Sequence, residues 1–206
     1  MKDEKTIEAY DKMADDYRTR NSNPFYTEEY DAFSKFFGEK KKILEIGCGI
    51  GRDAEELKKR GFTYTGIDAS WRMLAFARER IPMSDFRRMD FYAMDFPDGS
   101  FDGFWASAAF LHAPKNEVNK ALLETKRILV PHGVGFVSMK EKTTMDEGAI
   151  HEEKAGGIDR YFSFYTEEEF RAILEESGFE ILDAHKKQEN DPAHTVWLCF
   201  FVKKKE

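Results

Sequence analysis

What most constrains this chain is a change of hydrophobic period that recurs five times. Runs that read as strands, 41–49 (KKILEIGCG), 62–68, 84–90, 101–107 and 133–140, alternate with stretches whose apolar residues recur at helical spacing. Such alternation calls for parallel strands joined by right-handed helical crossovers, with helices on both faces of one sheet. Two further strand-like runs, 179–186 and 195–202, come together at the end and put one antiparallel strand into that sheet. The expected fold is α/β: a doubly wound, mostly parallel seven-stranded sheet.

The punctuation agrees. Helix 52–61 ends on Gly61, a suitable C′ residue, and Ser70 can cap a helix through Met73, Leu74, Ala77 and Ile81. Pro114 suits the first turn of a helix carrying Val118, Leu122 and Leu129, and Thr166 with Glu169 forms a capping box for a helix ending at Gly178. Ahead of the alternation, residues 6–20 carry Ile7, Tyr10, Met13, Ala14 and Tyr17 at helical spacing. NSNP (21–24) breaks that helix, and a second runs through Tyr30, Phe33, Phe36 and Phe37. Residues 1–38 therefore read as an N-terminal helical cap. Residues 141–165 have no strong pattern and exceed an ordinary connection, which reads as a lid or substrate-side insert. With 206 residues, 41 % of them hydrophobic, the chain can bury a core as one domain, 1–206.

Charge narrows the function classes. A net charge of −7 argues against a general nucleic-acid binder, and the short basic runs read as solvated surface. Two cysteines far apart, Cys48 and Cys199, make no disulfide framework and suit a reduced interior. The N-terminal residues lack the apolar core of a signal peptide, and no run approaches the roughly 20 apolar residues of a membrane span. A cytoplasmic protein with no membrane partner is expected. The histidines show no metal-ligand spacing, so no metal is expected.

The sharpest motif is Glu45-Ile-Gly47-Cys-Gly49-Ile-Gly51-Arg52-Asp53, at the first strand-to-helix turn. Open parallel sheets bind ligands there, and glycines let a ligand approach the backbone. A dinucleotide fingerprint would be G-x-G-x-x-G, but the sixth place from Gly47 is Arg52. Glu45 would repel a pyrophosphate and attract a cationic amino group. Asp68, ending the second strand, can accept bonds from both ribose hydroxyls. Asp90, at the end of the third, could accept from an adenine amino group, with Met89 and Phe91 flanking the ring.

In order, ILEIGCGIGRD, TGIDAS, DFPDGSFDGFWAS and HGVGFVSMK resemble the consecutive motifs of class I (Rossmann-like) S-adenosylmethionine (SAM)-dependent methyltransferases. The match covers about residues 40–140, and YDKMADDYRTR looks like the N-terminal helix of small members. The resemblance implies the seven-stranded sheet and SAM as cofactor. It puts the methionine end at Glu45, Gly47, Gly49 and Gly51, the ribose at Asp68 and the adenine at Asp90. Ala69, Met73, Met89 and Phe91 follow as apolar neighbours, with Ala106 and Ser107 below the methyl group. The end of strand four, ASAAFLHAP, lacks the [DN]-P-P-[YF] tetrad of many enzymes that methylate amino nitrogens.

Methyl transfer needs alignment and water exclusion more than a fixed catalytic triad, so the acceptor is not legible. His112 is the candidate base or substrate contact. Tyr10 and Tyr17 could close over SAM, and Arg160, Tyr161, Phe162 and Trp197 could line an acceptor pocket for a planar or anionic molecule. The expected function is methylation of a small-molecule acceptor. Three alternatives stay open: an RNA or protein methyltransferase, which needs a basic rim from Arg18, Arg20, Arg87, Arg88 and Arg160; an NAD-dependent oxidoreductase; and a SAM-binding protein without turnover.

Overall fold

The computed structural model describes residues 4–39, 41–152, 157–191 and 194–206. Two helices, α1 (Glu4–Arg20) and α2 (Thr27–Ser34), precede the alternation. It then runs β1 (Lys42–Ile46), α3 (Arg52–Lys59), β2 (Thr63–Asp68), α4 (Trp71–Arg80), β3 (Asp85–Arg88), β4 (Phe101–Ser107), α5 (Val118–Ile128) and β5 (Leu129–Lys140). A hairpin of β6 (Glu147–Glu152) and β7 (Ile158–Ser163) leads to α6 (Glu167–Glu176), β8 (Phe179–Gln188) and β9 (Val196–Lys204).

Seven of these strands form one sheet in the order β3-β2-β1-β4-β5-β9-β8. The first five run parallel, and β9 lies antiparallel between β5 and β8. This is the expected fold, with its single reversed strand. The order reverses direction between β1 and β4, where neighbouring crossovers leave on opposite faces and open a crevice at the strand ends. The central strands are apolar on both faces, as parallel strands under two helical layers must be. Ile43, Leu44, Phe104, Trp105, Phe136 and Val137 are fully buried.

Local signals hold at the helix starts. Ser70 Oγ accepts from Met73 N at 3.1 Å. Thr166 and Glu169 form the reciprocal box, at 3.1 Å and 2.8 Å. Two boundaries differ from expectation. Leu129 opens β5, paired with Phe101, instead of ending α5, and a register shift follows. Pro114 stands in a turn ahead of α5, its carbonyl accepting from Glu117 and Val118. Residues 141–165 are not structureless either: they carry β6 and β7 in antiparallel register, from Glu147 opposite Ser163 to His151 opposite Asp159. Positions 153–156 of that insert and 1–3 of the expected cap lie outside the described residues.

Candidate functional site

A cavity of about 700 Å³ opens at the C-terminal ends of β1, β2, β3 and β4, across the point where the strand order reverses. Ligand sites fall in the range of roughly 300–1,000 Å³ and favour this place in an open α/β sheet. Its wall includes Glu45, Gly47 and Gly49 after β1, and Asp68, Ala69 and Met73 after β2. Met89, Asp90 and Phe91 contribute after β3, and Ser107 after β4. Tyr10 and Tyr17 reach it from α1, and His112 from the short 3-10 turn Phe110–His112. Trp197 lines it from β9.

The glycines of the turn do different jobs. Gly49 has φ +51°, and a Cβ there would meet nothing within 4 Å, so the backbone faces open cavity. Gly51 does not line the cavity. A Cβ on it would sit 3.2 Å from the Cα and Cβ of Ala77, so this glycine lets α3 pack against α4. Asp68 ties the turn to β2: its carboxylate accepts from Gly49 N and Ser70 N, both at 2.8 Å. Burial raises this carboxyl, the two amides only partly offset the effect, and it is pushed up to about 6. Each oxygen keeps a lone pair for a further donor.

Glu45 reaches the cavity wall but is not a free anion. It is 2 % exposed and accepts from Tyr64 Oη at 2.5 Å. Burial and the nearby Asp53 push its carboxyl well above the usual range, which favours the neutral acid and weakens the expected attraction for an amino group. The charge in this part of the wall belongs to Arg52 and Asp53. Asp53 accepts from Arg52 Nε at 2.5 Å, Tyr30 Oη at 2.9 Å and Trp105 Nε1 at 3.0 Å. Burial opposes its charge, but Arg52 and these donors hold its carboxyl below the ordinary value.

Four of the sequence candidates form one hydrogen-bonded chain. Arg160 Nη1 donates to Tyr10 Oη at 2.7 Å, and Tyr10 Oη lies 2.9 Å from His112 Nε2. His112 Nδ1 lies 2.7 Å from the carbonyl of Tyr161. A carbonyl only accepts, so Nδ1 carries the ring proton, and Nε2 accepts the phenolic proton of Tyr10. Burial pushes His112 down to about 3, and it stays neutral near pH 7. Arg160 and Tyr161 thus stand behind the cavity wall instead of lining it. Ala106 is fully buried and absent from the wall, because alternation along β4 turns its neighbour Ser107 toward the cavity.

Sequence reasoning missed the outer half of the cavity. Asn21, Asn23, Phe25 and Tyr26, between α1 and α2, line it together with Gln188, Glu189 and Asn190 at and just after the end of β8. Trp197 Nε1 donates to Glu189 Oε2 at 2.9 Å, and its ring centroid lies 6.5 Å from that of Phe25. No spacing rule links segments so far apart in sequence. Away from the cavity, Glu29, His185 and Cys199 offer atoms within 4.8 Å of one another, a grouping the sequence did not suggest. There the Lys187 ammonium binds both oxygens of Glu29, at 3.0 Å and 2.9 Å, and already supplies a positive charge.

Comparison with known proteins bears on this cavity. A family model described as a methyltransferase domain matches residues 43–133, from β1 to the start of β5. A sterol 24-C-methyltransferase of Gibberella zeae is 30 % identical over 197 residues, covering 87 % of this chain and 51 % of the relative. Residues 43–133 thus carry the methyltransferase domain of the class I SAM-dependent family. Among solved structures, the CcbJ methyltransferase of Streptomyces caelestis superposes with a TM-score of 0.78 at 17 % identity, over 99 % of this chain and 100 % of its own. The 1,6-didemethyltoxoflavin-N1-methyltransferase of Burkholderia thailandensis, with its substrate and S-adenosylhomocysteine bound, gives 0.75 at 18 % identity, covering 97 % and 88 %. At such identities these likenesses concern the fold. The chain spans about half the length of the first curated relatives it matches, 51 % and 46 % for two of them. Among the described residues, no helix is long and apolar enough to cross a membrane.

Proposed function

We propose that this chain methylates a small polar acceptor with SAM as donor. The observation that carries the reading is the cavity itself: a glycine turn, an acid at the tip of β2 and apolar residues at the tip of β3 share one wall. The residues fit the cofactor. Gly49 faces open space, Asp68 retains acceptor capacity for a ribose diol, and Met73, Met89 and Phe91 offer apolar surface for a purine beside Ala69 and Asp90. When bound, SAM supplies a methyl group already activated for in-line displacement.

What the protein adds is alignment and shelter. Tyr10 and Tyr17 bring α1 over the cavity, and the chain from Arg160 to His112 joins α1 to the β6–β7 hairpin. We read α1 and this hairpin as the cover that excludes water. His112 faces the cavity as a neutral ring whose acceptor nitrogen holds the Tyr10 proton. Its role near pH 7 is to position Tyr10 and contact the acceptor, not to serve as a strong base.

The outer half supports a small polar acceptor. Phe25, Tyr26 and Trp197 give aromatic surface, while Asn21, Asn23, Gln188 and Asn190 can each donate and accept. A hydrocarbon would desolvate these amides without replacing their bonds, which penalises an apolar acceptor. Of the five residues named for an RNA rim, Arg20 alone lines the cavity, which favours a small acceptor. Arg18 pairs with Glu79 at 2.9 Å, Arg87 pairs with Asp85 at 2.8 Å, and Arg160 is bonded to Tyr10. Two measurements test the reading. Calorimetry should detect S-adenosylhomocysteine and no NAD, and labelled SAM should mark metabolite pools in preference to RNA or protein. NAD binding without S-adenosylhomocysteine binding would reject it.

A further inference from the structure

We infer that Glu29, His185 and Cys199 form a site for one zinc-type divalent cation, outside the cavity. The three come from separate elements: Glu29 from α2, His185 from β8 and Cys199 from β9. His185 and Cys199 stand directly opposite each other in the β8–β9 ladder, so their side chains leave the same face of the sheet. Glu29 meets them there from α2, and one ligand atom from each residue lies within 4.8 Å of the other two. Bonds of about 2.0–2.3 Å at tetrahedral angles put zinc ligands roughly 3.2–3.6 Å apart, so the group must close by about 1 Å. His185 Nε2 and Glu29 Oε1 are already at that spacing, 3.2 Å.

The hydrogen bonds point to the same chemistry. His185 Nδ1 lies 2.9 Å from Asp183 Oδ2, while Nε2 faces Glu29. Both partners are carboxylates, and a neutral imidazole has one N–H, so it can serve only one of them. A metal ion settles the second contact. Nδ1–H stays on Asp183, Nε2 gives its lone pair to the ion, and Asp183 becomes the outer carboxylate that orients a ligating histidine. Glu29 is 3 % exposed and Cys199 is fully buried. A thiolate beside an imidazole selects zinc over magnesium or calcium. The charges balance too. Lys187 holds Glu29 at 3.0 Å and 2.9 Å and can stay as its outer partner. The ion and this ammonium are then matched by Glu29, Asp183 and the Cys199 thiolate, whose proton passes to solvent on binding. Three protein ligands leave the fourth tetrahedral place to water, which reaches the cluster past His185, its side chain 36 % exposed. An ion here ties α2 to β8 and β9 next to Tyr26, which lines the outer half of the cavity.

The test uses the untagged, reduced full chain with zinc and cobalt(II) as probes. Competition against a chromogenic chelator should show one zinc bound per chain. Cobalt should give the near-ultraviolet band of a thiolate ligand and the intense visible bands of a tetrahedral site. The thiolate band should vanish in Cys199→Ser and persist in Cys48→Ser. His185→Gln and Asp183→Asn, on the solvent side of the cluster, should each weaken zinc about tenfold or more, and they carry the test if the Cys199 variant does not fold. No stoichiometric zinc, a cobalt spectrum without the thiolate band, or unchanged zinc affinity in His185→Gln would overturn the site. His185 would then be an imidazolium shared between two acids, with no ion required. Zinc binding is read without any cofactor, so its failure would leave the SAM reading of the cavity untouched.

Discussion

Asp68 should make cofactor affinity fall in mild acid. Its carboxyl holds the glycine turn through Gly49 N and Ser70 N, and burial pushes it up to about 6. A ribose diol donates best to the ionised form. If that form alone binds, the fraction ionised is about nine-tenths at pH 7 and about one-tenth at pH 5. S-adenosylhomocysteine should then bind about tenfold more weakly at the lower pH, a change of roughly 1.4 kcal/mol. The stability of the unliganded protein takes the opposite sign. A carboxyl raised above its unfolded value of 3.8 binds its proton more tightly when folded, so its contribution improves as pH falls from about 6 toward 3.8. His112, pushed down to about 3, lies below this window. Calorimetry between about pH 5 and pH 8, on wild type and Asp68→Asn, measures the effect. The variant should lose about 1.5–3 kcal/mol of affinity at neutral pH and show a flat profile. The same acid limb in the variant, or a flat profile in wild type, would refute the argument.

Other perturbations have equally definite outcomes. Gly51→Val would force a side chain against Ala77 at φ +75°, and should lower stability by about 2–3 kcal/mol in urea melts. Lys187→Met leaves Glu29, 3 % exposed, without its ammonium, and should cost about 3 kcal/mol. Adding Glu29→Gln to that variant should recover part of the loss. Thr166→Ala removes the α6 cap and should cost about 1 kcal/mol, read as a lower midpoint with unchanged ligand affinity. His112→Ala should reduce turnover more than S-adenosylhomocysteine affinity; wild-type values for both would make the residue structural.

How much of this was legible follows from where each signal resides. The five crossovers are written in local period, and the reversed β9 in two strand-like runs with no helix between them. The β6–β7 hairpin escaped because Glu147-Gly148-Ala149-Ile150-His151 lacks a clean alternation, and its register is fixed only by pairing with Asp159–Ser163. Leu129 read as a helix residue because it continues the α5 face, yet its backbone pairs with Phe101, and no helical period records that. The place of Asp68 in the cavity wall was legible because it ends a strand, where open parallel sheets form their crevice. The bond from Tyr64 to Glu45 was not legible because Tyr64 lies on the next strand and 19 residues away.

The chain from Arg160 through Tyr10 to His112 bears on the acceptor as well as on the cover. A neutral imidazole already holding a phenolic proton cannot draw a proton from a weakly acidic acceptor at useful strength near pH 7. The acceptor proposed here should therefore arrive with its nucleophilic lone pair available. A pH–rate profile distinguishes the cases. If the acceptor brings its own lone pair, the rate limb should follow the acceptor's ionisation and shift when a more acidic analogue is used. It should survive His112→Asn, which keeps a group able to hold Tyr10. A limb that ignores the analogue and disappears with His112→Asn would restore the histidine as the base and refute the positioning role.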